Sequence, residues 1–128
     1  MKEPSMNLIN ATALSLILGS SMASAADCVN PDAPSIPDGA SSTMDQMITG
    51  QKAVKSFQAS NIEYMSCVET RISALETKVA ETKGKEKEAI QKTLAESLDT
   101  YNQAVSAEES VAGAFNSAVR DYQAANPK

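Results

Sequence analysis

The chain has 128 residues, a net charge of −5, no histidine and only five aromatic side chains, three Tyr and two Phe. Such an acidic chain offers no basic surface to replace condensed counterions, which excludes nucleic acid as a partner, and the missing histidine removes the commonest general base and metal ligand. A core must come from Ala, Val, Ile, Leu and Met, and the abundance of Ala, Glu, Lys, Gln and Ser with little Gly or Pro after Gly39 predicts one small all-α domain.

Residues 1–25 read as a secretory signal peptide: an apolar run from Leu8 to Leu18, a Gly19-Ser20-Ser21 break, then the small residues Ala23-Ser24-Ala25-Ala26, with cleavage after Ala25 or Ala26. Met1 and Met6 both precede the run as possible starts, and Lys2 is offset by Glu3. About eleven apolar-biased residues are too few to cross a bilayer, so no stable membrane span is expected after signal removal; the alternative is a helix retained in the mature protein. Asp27 stands before Cys28 where a lipoprotein needs a small residue. The expected location is the periplasm or the exterior of a Gram-negative cell. There the two cysteines, Cys28 and Cys67, are expected to form one disulfide, whose loop of about forty residues contributes on the order of 4 kcal/mol. The alternative is two independent thiols.

Residues 26–42 form a proline-rich arm. In CVNPDAPSIPDG the residues Pro31, Pro34 and Pro37 recur every third position, the polyproline II period, which sets them on one edge of an extended segment. Asp38-Gly39 supplies a turn, and Ser42 or Thr43 caps the helix that follows, with Asp45 in its first turn.

Residues 43–126 are expected to fold as an antiparallel two-helix hairpin, coiled-coil-like in its spacing. A three-four stripe runs through Met44, Met47, Gln51, Val54, Gln58, Asn61, Met65, Val68, Ile72, Leu75 and Val79, widened by Ile48 and Ile62. Its polar middle at Gln51, Gln58 and Asn61 means that the seam there is either partly wet or shifted toward Ile48, Phe57 and Ile62, and the C-terminal half is expected to be better packed. The stretch ETKGKEKE has no large apolar residue and places the reversal near Gly84. A second stripe follows through Ile90, Leu94, Leu98, Tyr101, Val105, Ala112, Phe115, Val119 and Tyr122, interrupted at Glu108, where the apolar face drifts toward Val111. One continuous helix of about eighty residues that dimerises is the alternative, since a glycine costs only about 1 kcal/mol inside a helix.

Cys67 falls outside this seam, on a second face with Ala53, Phe57, Ser60 and Tyr64. From Thr43 to Cys67 the helix rises about 36 Å, and the fifteen steps from Cys28 to Thr43 reach up to about 46 Å, so the arm can run back along the first helix as a strap. Pro31, Pro34 and Pro37 then pass Tyr64, Phe57 and Ala53 in that order. The alternative leaves the arm disordered, with Phe57 and Tyr64 as residues flanking the seam. The pattern C-x-x-P-x-x-P-x-I-P-D-G-A, followed by Val54, Lys55, Phe57, Tyr64 and Cys67 in V-K-x-F and Y-x-x-C, resembles small exported proteins of proteobacteria with no assigned activity. The resemblance implies a two-helix periplasmic protein with the same cysteine pairing, and it supplies no substrate.

Chemistry is sparse. No G-x-S-x-G, phosphate-cradling glycine loop or C-x-x-C is present, and Glu108-Glu109 reads as solvated surface. The chain is expected to be no enzyme and to need no cofactor. Its expected role is a structural or interaction factor of the cell envelope, partnered by another envelope protein or by itself. Two ligand readings stand beside it: Cu(I) on the thioethers of Met44 and Met47, one helical turn apart, and a hydrophobic guest in the loosely packed middle. The prolines could also serve an aromatic groove on a partner.

Overall fold

The computed structural model describes residues 27–128, and the predicted leader lies outside them. Two helices, α1 (Met44–Glu81) and α2 (Gly84–Ala125), pack against each other as a hairpin. Thr43, of the two candidate caps, starts α1. Its hydroxyl accepts from Gln46 N at 3.3 Å, and the Gln46 side-chain oxygen accepts from Thr43 N at 2.7 Å, so both halves of a capping box are in place. Thr82 and Lys83 have extended backbones (ψ 155° and 163°), and Gly84 follows at φ +66°, a left-handed conformation that suits glycine. Those three residues reverse the chain and rule out the continuous helix. α2 ends at Asn126, whose backbone N–H and side-chain amide both donate to Tyr122 O, at 3.0 and 2.9 Å.

The buried positions define the seam. On α1 they are Met47, Val54, Asn61 and Val68, seven residues apart, and on α2 they are Ser97, Ala104, Val111 and Ala118, again seven apart. Each heptad up α1 is therefore matched by a heptad back down α2, as an antiparallel coiled-coil pair requires. Small Ser and Ala on α2 admit the larger side chains of α1 across a close approach.

A second buried row on α1, Gly50, Phe57 and Tyr64, trails the seam by three residues and turns to one side of the hairpin. The arm covers that side. It runs in the groove between the two helices, touching both, rather than along α1 alone as the reach estimate suggests. Cys28 and Cys67 form a disulfide with Cα atoms 5.6 Å apart, at one end of the arm. Ile36 packs on the cluster of Val54, Phe57 and Val111, together with Ala107 and Phe115. The ring of Pro37 lies against Gly50, where a Cβ would come within 2.7 Å of it. Gly39 is buried against the backbone of α2 at Ala118 and Tyr122. The turn after Pro37 is held by Asp38, whose carbonyl accepts from Ser42 N at 2.9 Å and whose carboxylate accepts from Ala40 N and Ser41 Oγ, both at 3.0 Å.

Three expectations are corrected by this third layer. The seam is rotated toward the arm, because Phe57 and Tyr64 with Ile36 bury far more apolar surface than Gln51 and Gln58 could. Met44, Ile48, Ile62 and Leu98, assigned to the seam from periodicity, are exposed at 56%, 41%, 58% and 45%. The better-packed half of α1 is its N-terminal half: no residue of α1 beyond Val68, and none of α2 before Ser97, is fully buried among the described residues. Burial stops where the arm stops. Two bare helices cannot enclose a side chain on every side, and the arm supplies the missing wall only from Cys28 to Gly39.

Candidate functional site

The arm occupies one flank of the hairpin and leaves the other open. Four residues after each seam position of α2 come Tyr101, Glu108, Phe115 and Tyr122, and on α1 the corresponding step gives Gln51, Gln58, Met65 and Ile72, with Met44 preceding them. On α1 this row turns away from Gly50, Phe57 and Tyr64; on α2 Phe115 fills the seam, packing on Val54, Phe57 and Val111 and lying 3.4 Å from where a Cβ on Gly50 would stand, and the remaining contacts identify the shared side. Met44, Met47, Ile48, Gln51, Phe115, Val119 and Tyr122 line one groove of about 480 Å³ at the open end of the hairpin. Further along, Asn61 meets Glu108, and Glu69 meets Tyr101. Four of the five large apolar side chains that are most exposed, Met44, Ile48, Ile62 and Leu98, belong to this flank; the fifth, Val29, is on the arm. Large apolar side chains gathered on one exposed side of a folded chain make that side a candidate contact site.

The polar groups on the flank are few and fixed. Asn61, 1% exposed, donates through Nδ2 to Ala104 O and to Glu108 Oε2, both at 3.0 Å. Those two acceptors set the orientation of the amide, since the opposite one would aim its oxygen at two oxygens. Asn61 Oδ1 is buried with no hydrogen-bond partner among the described residues, at a cost on the order of 1–3 kcal/mol. A polar residue in the middle of a seam fixes register, because sliding the helices by one heptad would set the amide against apolar groups. Glu108, half-buried and bonded, is thus part of the interhelical contact and not the solvated surface expected of it. The predicted drift of the face to Val111 matches its burial.

Tyr101 ionises above its ordinary 10.0, because its hydroxyl is hydrogen-bonded to the Glu69 carboxylate, with that carboxylate's charge and some burial acting in the same direction. A raised phenol pKa stabilises the fold below the unfolded value near 10, and that contribution is lost as pH climbs through the folded pKa. In Glu69→Gln the Tyr101 titration should fall back toward 10.0, read as the absorbance of tyrosinate among the chain's three tyrosines. An unchanged titration would mean that the Glu69 contact does not form in solution.

Other predicted site residues separate by flank. Pro31, Pro34 and Pro37 are all half-buried on the arm side. Pro31 lines a cavity with Ser60, Glu63, Tyr64 and the disulfide, while Pro37 sits on Gly50 with Ala53 beside it. Beyond the disulfide, Arg71 Nη2 donates to Cys28 Sγ at 3.5 Å, at the mouth of a cavity that also takes in Leu75 and Lys78. Met44 and Met47 do share the open-end groove, but Met47 is buried at 5% exposure while Met44 is largely exposed. Among the described residues no three His, Cys, Asp or Glu side chains converge to hold a metal, and no helix is long and apolar enough to cross a membrane. The turn at Asp38-Gly39 stands where the sequence places it, but sequence reasoning missed the burial of Gly39 on α2 and missed Ile36, Gly50 and the bond between Asn61 and Glu108. For Ile36 a signal was present: it is the one large aliphatic residue among the three prolines.

No family model, curated protein or solved structure matches this chain. At the open end the flank's groove is lined by apolar side chains together with Gln51, Gln123 and Asn126.

Proposed function

We propose that this chain is a non-enzymatic interaction factor of the cell envelope, exported to the periplasm or beyond, which engages a partner protein through the open flank of its hairpin. The observation that carries the reading is the exposure of Met44, Ile48, Ile62 and Leu98 on one flank while the arm seals the other. A chain selected only to be a stable helical pair would put polar residues at those positions, since exposed apolar surface brings aggregation without benefit. The disulfide, the leader-like run before Ala26 and the resemblance of the arm to small exported proteins support the location.

The test is photo-crosslinking in cells from a reactive residue placed at Ile62 on the open flank, compared with one at Ser35 on the arm. Discrete adducts are expected from Ile62 and none from Ser35. Adding Ile48→Glu should abolish them while leaving the helical circular dichroism unchanged, because Ile48 is already 41% exposed. Equal adducts from both positions, or adducts indifferent to Ile48→Glu, would overturn the assignment of the flank.

A second reading draws on the groove at the open end, whose Met44, Ile48, Phe115, Val119 and Tyr122 could take one small apolar ligand. The thioethers of Met44 and Met47 face that same groove, so a soft cation such as Cu(I) belongs to this reading as well. Competition with a chromogenic Cu(I) chelator, with and without Met44→Leu, separates the metal from an organic guest.

A further inference from the structure

We propose that the groove holding the arm continues past the disulfide as a docking site for an extended acidic segment of another protein, one whose carboxylates stand three residues apart. The site lies on the arm side of the hairpin and does not depend on the reading of the open flank.

The arm itself measures the groove. Pro37 lies on Gly50, Pro31 lines a cavity with Tyr64, and Cys28, bonded to Cys67, accepts from Arg71 Nη2 at 3.5 Å. These contacts follow one row of α1, in which Gly50, Phe57, Tyr64, Arg71 and Lys78 recur at every seventh residue. From Pro37 to Pro31 the arm spans about 19 Å in polyproline II geometry, against about 21 Å of helix from Gly50 to Tyr64. Three arm residues therefore serve one heptad of groove. The next step obeys the same measure, three residues from Pro31 to Cys28 and one heptad from Tyr64 to Arg71.

Both walls of the groove run on beyond the arm. On α2, Ala107 packs in the cluster with Ile36, and two heptads earlier the same position is Thr93. Thr93 lines a cavity of about 480 Å³ with Arg71, Ala74, Leu75, Lys78 and the disulfide, beginning where the arm ends. What changes is the character of the row. Under the arm it is Gly, Phe and Tyr; past the disulfide it is Arg and Lys, and no residue lining the cavity is acidic in a chain of net charge −5.

That change names the occupant. Among the described residues neither Arg71 nor Lys78 is held in an ion pair. Arg71 places one N–H on a disulfide sulfur, a weak acceptor, and its planar fork has four more to offer. One heptad separates Arg71 from Lys78 by about 10.5 Å along α1, and three residues of polyproline II advance about 9.3 Å. An acidic segment of that spacing reaches both cations while its backbone lies over Ala74 and Leu75, as the arm lies over the row above.

The experiment titrates the oxidised protein into a fluorescein-labelled peptide of three Pro-Asp-Ala repeats, read by fluorescence polarisation. Saturable binding with Kd on the order of 100 µM at low salt is expected, weakening as salt rises. Lys78→Gln should weaken it about fivefold, and because Lys78 is exposed the substitution leaves the fold intact. Lys55→Gln removes the same charge far from the groove and should change nothing. Amide shifts on binding should fall on Ala74, Leu75 and Thr93 and spare Ile62 on the open flank. No binding at about 1 mM, binding indifferent to Lys78→Gln, or equal binding of a Pro-Asn-Ala peptide overturns the proposal. Succinate displacing the probe at equal concentration also overturns it, since the cavity would then take small carboxylates and not a peptide. All of these outcomes are independent of crosslinking from Ile62, so this site and the open flank stand or fall separately.

Discussion

Removing the disulfide by Cys28→Ser with Cys67→Ser is expected to lower the unfolding free energy by about 4 kcal/mol, the loop-entropy value for a closure of 39 residues. For a domain of this size that corresponds to a fall in Tm on the order of 15–30 °C. The loss should also be spatially graded. Between Cys28 and Pro34 the arm is anchored by Cys28, which packs on the cluster of Tyr64, Val68 and Ala104, with Pro31 and Pro34 half-buried beside it. From Ile36 to Gly39 it is held by its own packing on Val54, Phe57 and Val111 and on the backbone of α2. Amide exchange should therefore accelerate first near the cysteines and at Tyr64, while the Thr43 cap and the open end of the hairpin keep their protection. A loss under about 1 kcal/mol would mean that packing alone holds the arm and the bridge is redundant. A uniform loss along both helices would mean that the hairpin does not stand without its strap.

Element identity and the point of reversal were legible in the sequence, and the centre of the seam was not. The segment ETKGKEKE cannot be buried, and Thr43 with Gln46 spells a capping box, so the ends of α1 follow from local chemistry. The seam fails for a physical reason. Two interleaved stripes on α1 satisfy the same three-four spacing, one through Met44 and Met65, the other through Gly50, Phe57 and Tyr64, on either side of Met47, Val54, Asn61 and Val68. Periodicity fixes an axis but not which side of it a third layer will cover. On α2 the buried row contains Ser97, Ala104 and Ala118, and hydropathy passes over these in favour of Leu98, which is exposed. Small residues mark close helix approach, and a scale that rewards size misses them. The contact between Asn61 and Glu108 spans 47 residues and has no local signature at all. The same error made the candidate site visible only afterwards: the apolar residues taken for core are the ones the fold leaves uncovered.

The glycines supply the sharpest test of where the arm sits, because each meets a different obstacle. A Cβ on Gly39 would lie 1.8 Å from Ala118 O, 2.7 Å from Ala118 C and 2.8 Å from Tyr122 N, all backbone atoms of α2. Backbone inside a helix cannot yield without breaking its own ladder, so Gly39→Ala must push the arm off α2, at about 3 kcal/mol or more. At Gly50 the obstacle is softer: the Cβ would meet Pro37 Cδ at 2.7 Å and Cγ at 2.8 Å, and a proline ring on the arm can shift by a few tenths of an ångström. The cost there should be about 1–2 kcal/mol. Gly113, inside α2 with nothing within 4 Å of its Cβ, is the control, and Gly113→Ala should stabilise by roughly 0.5–1 kcal/mol through helix propensity. Urea unfolding of the three variants should thus order them Gly113→Ala above the parent chain, then Gly50→Ala, then Gly39→Ala. Should Gly39→Ala fall within 1 kcal/mol of the parent, the turn does not rest on α2, and the picture of an arm wedged between two helices reverts to a strap along α1 alone. That outcome would leave part of the arm side as bare as the open flank, and the contrast between a sealed face and a free one, on which the functional reading depends, would go with it.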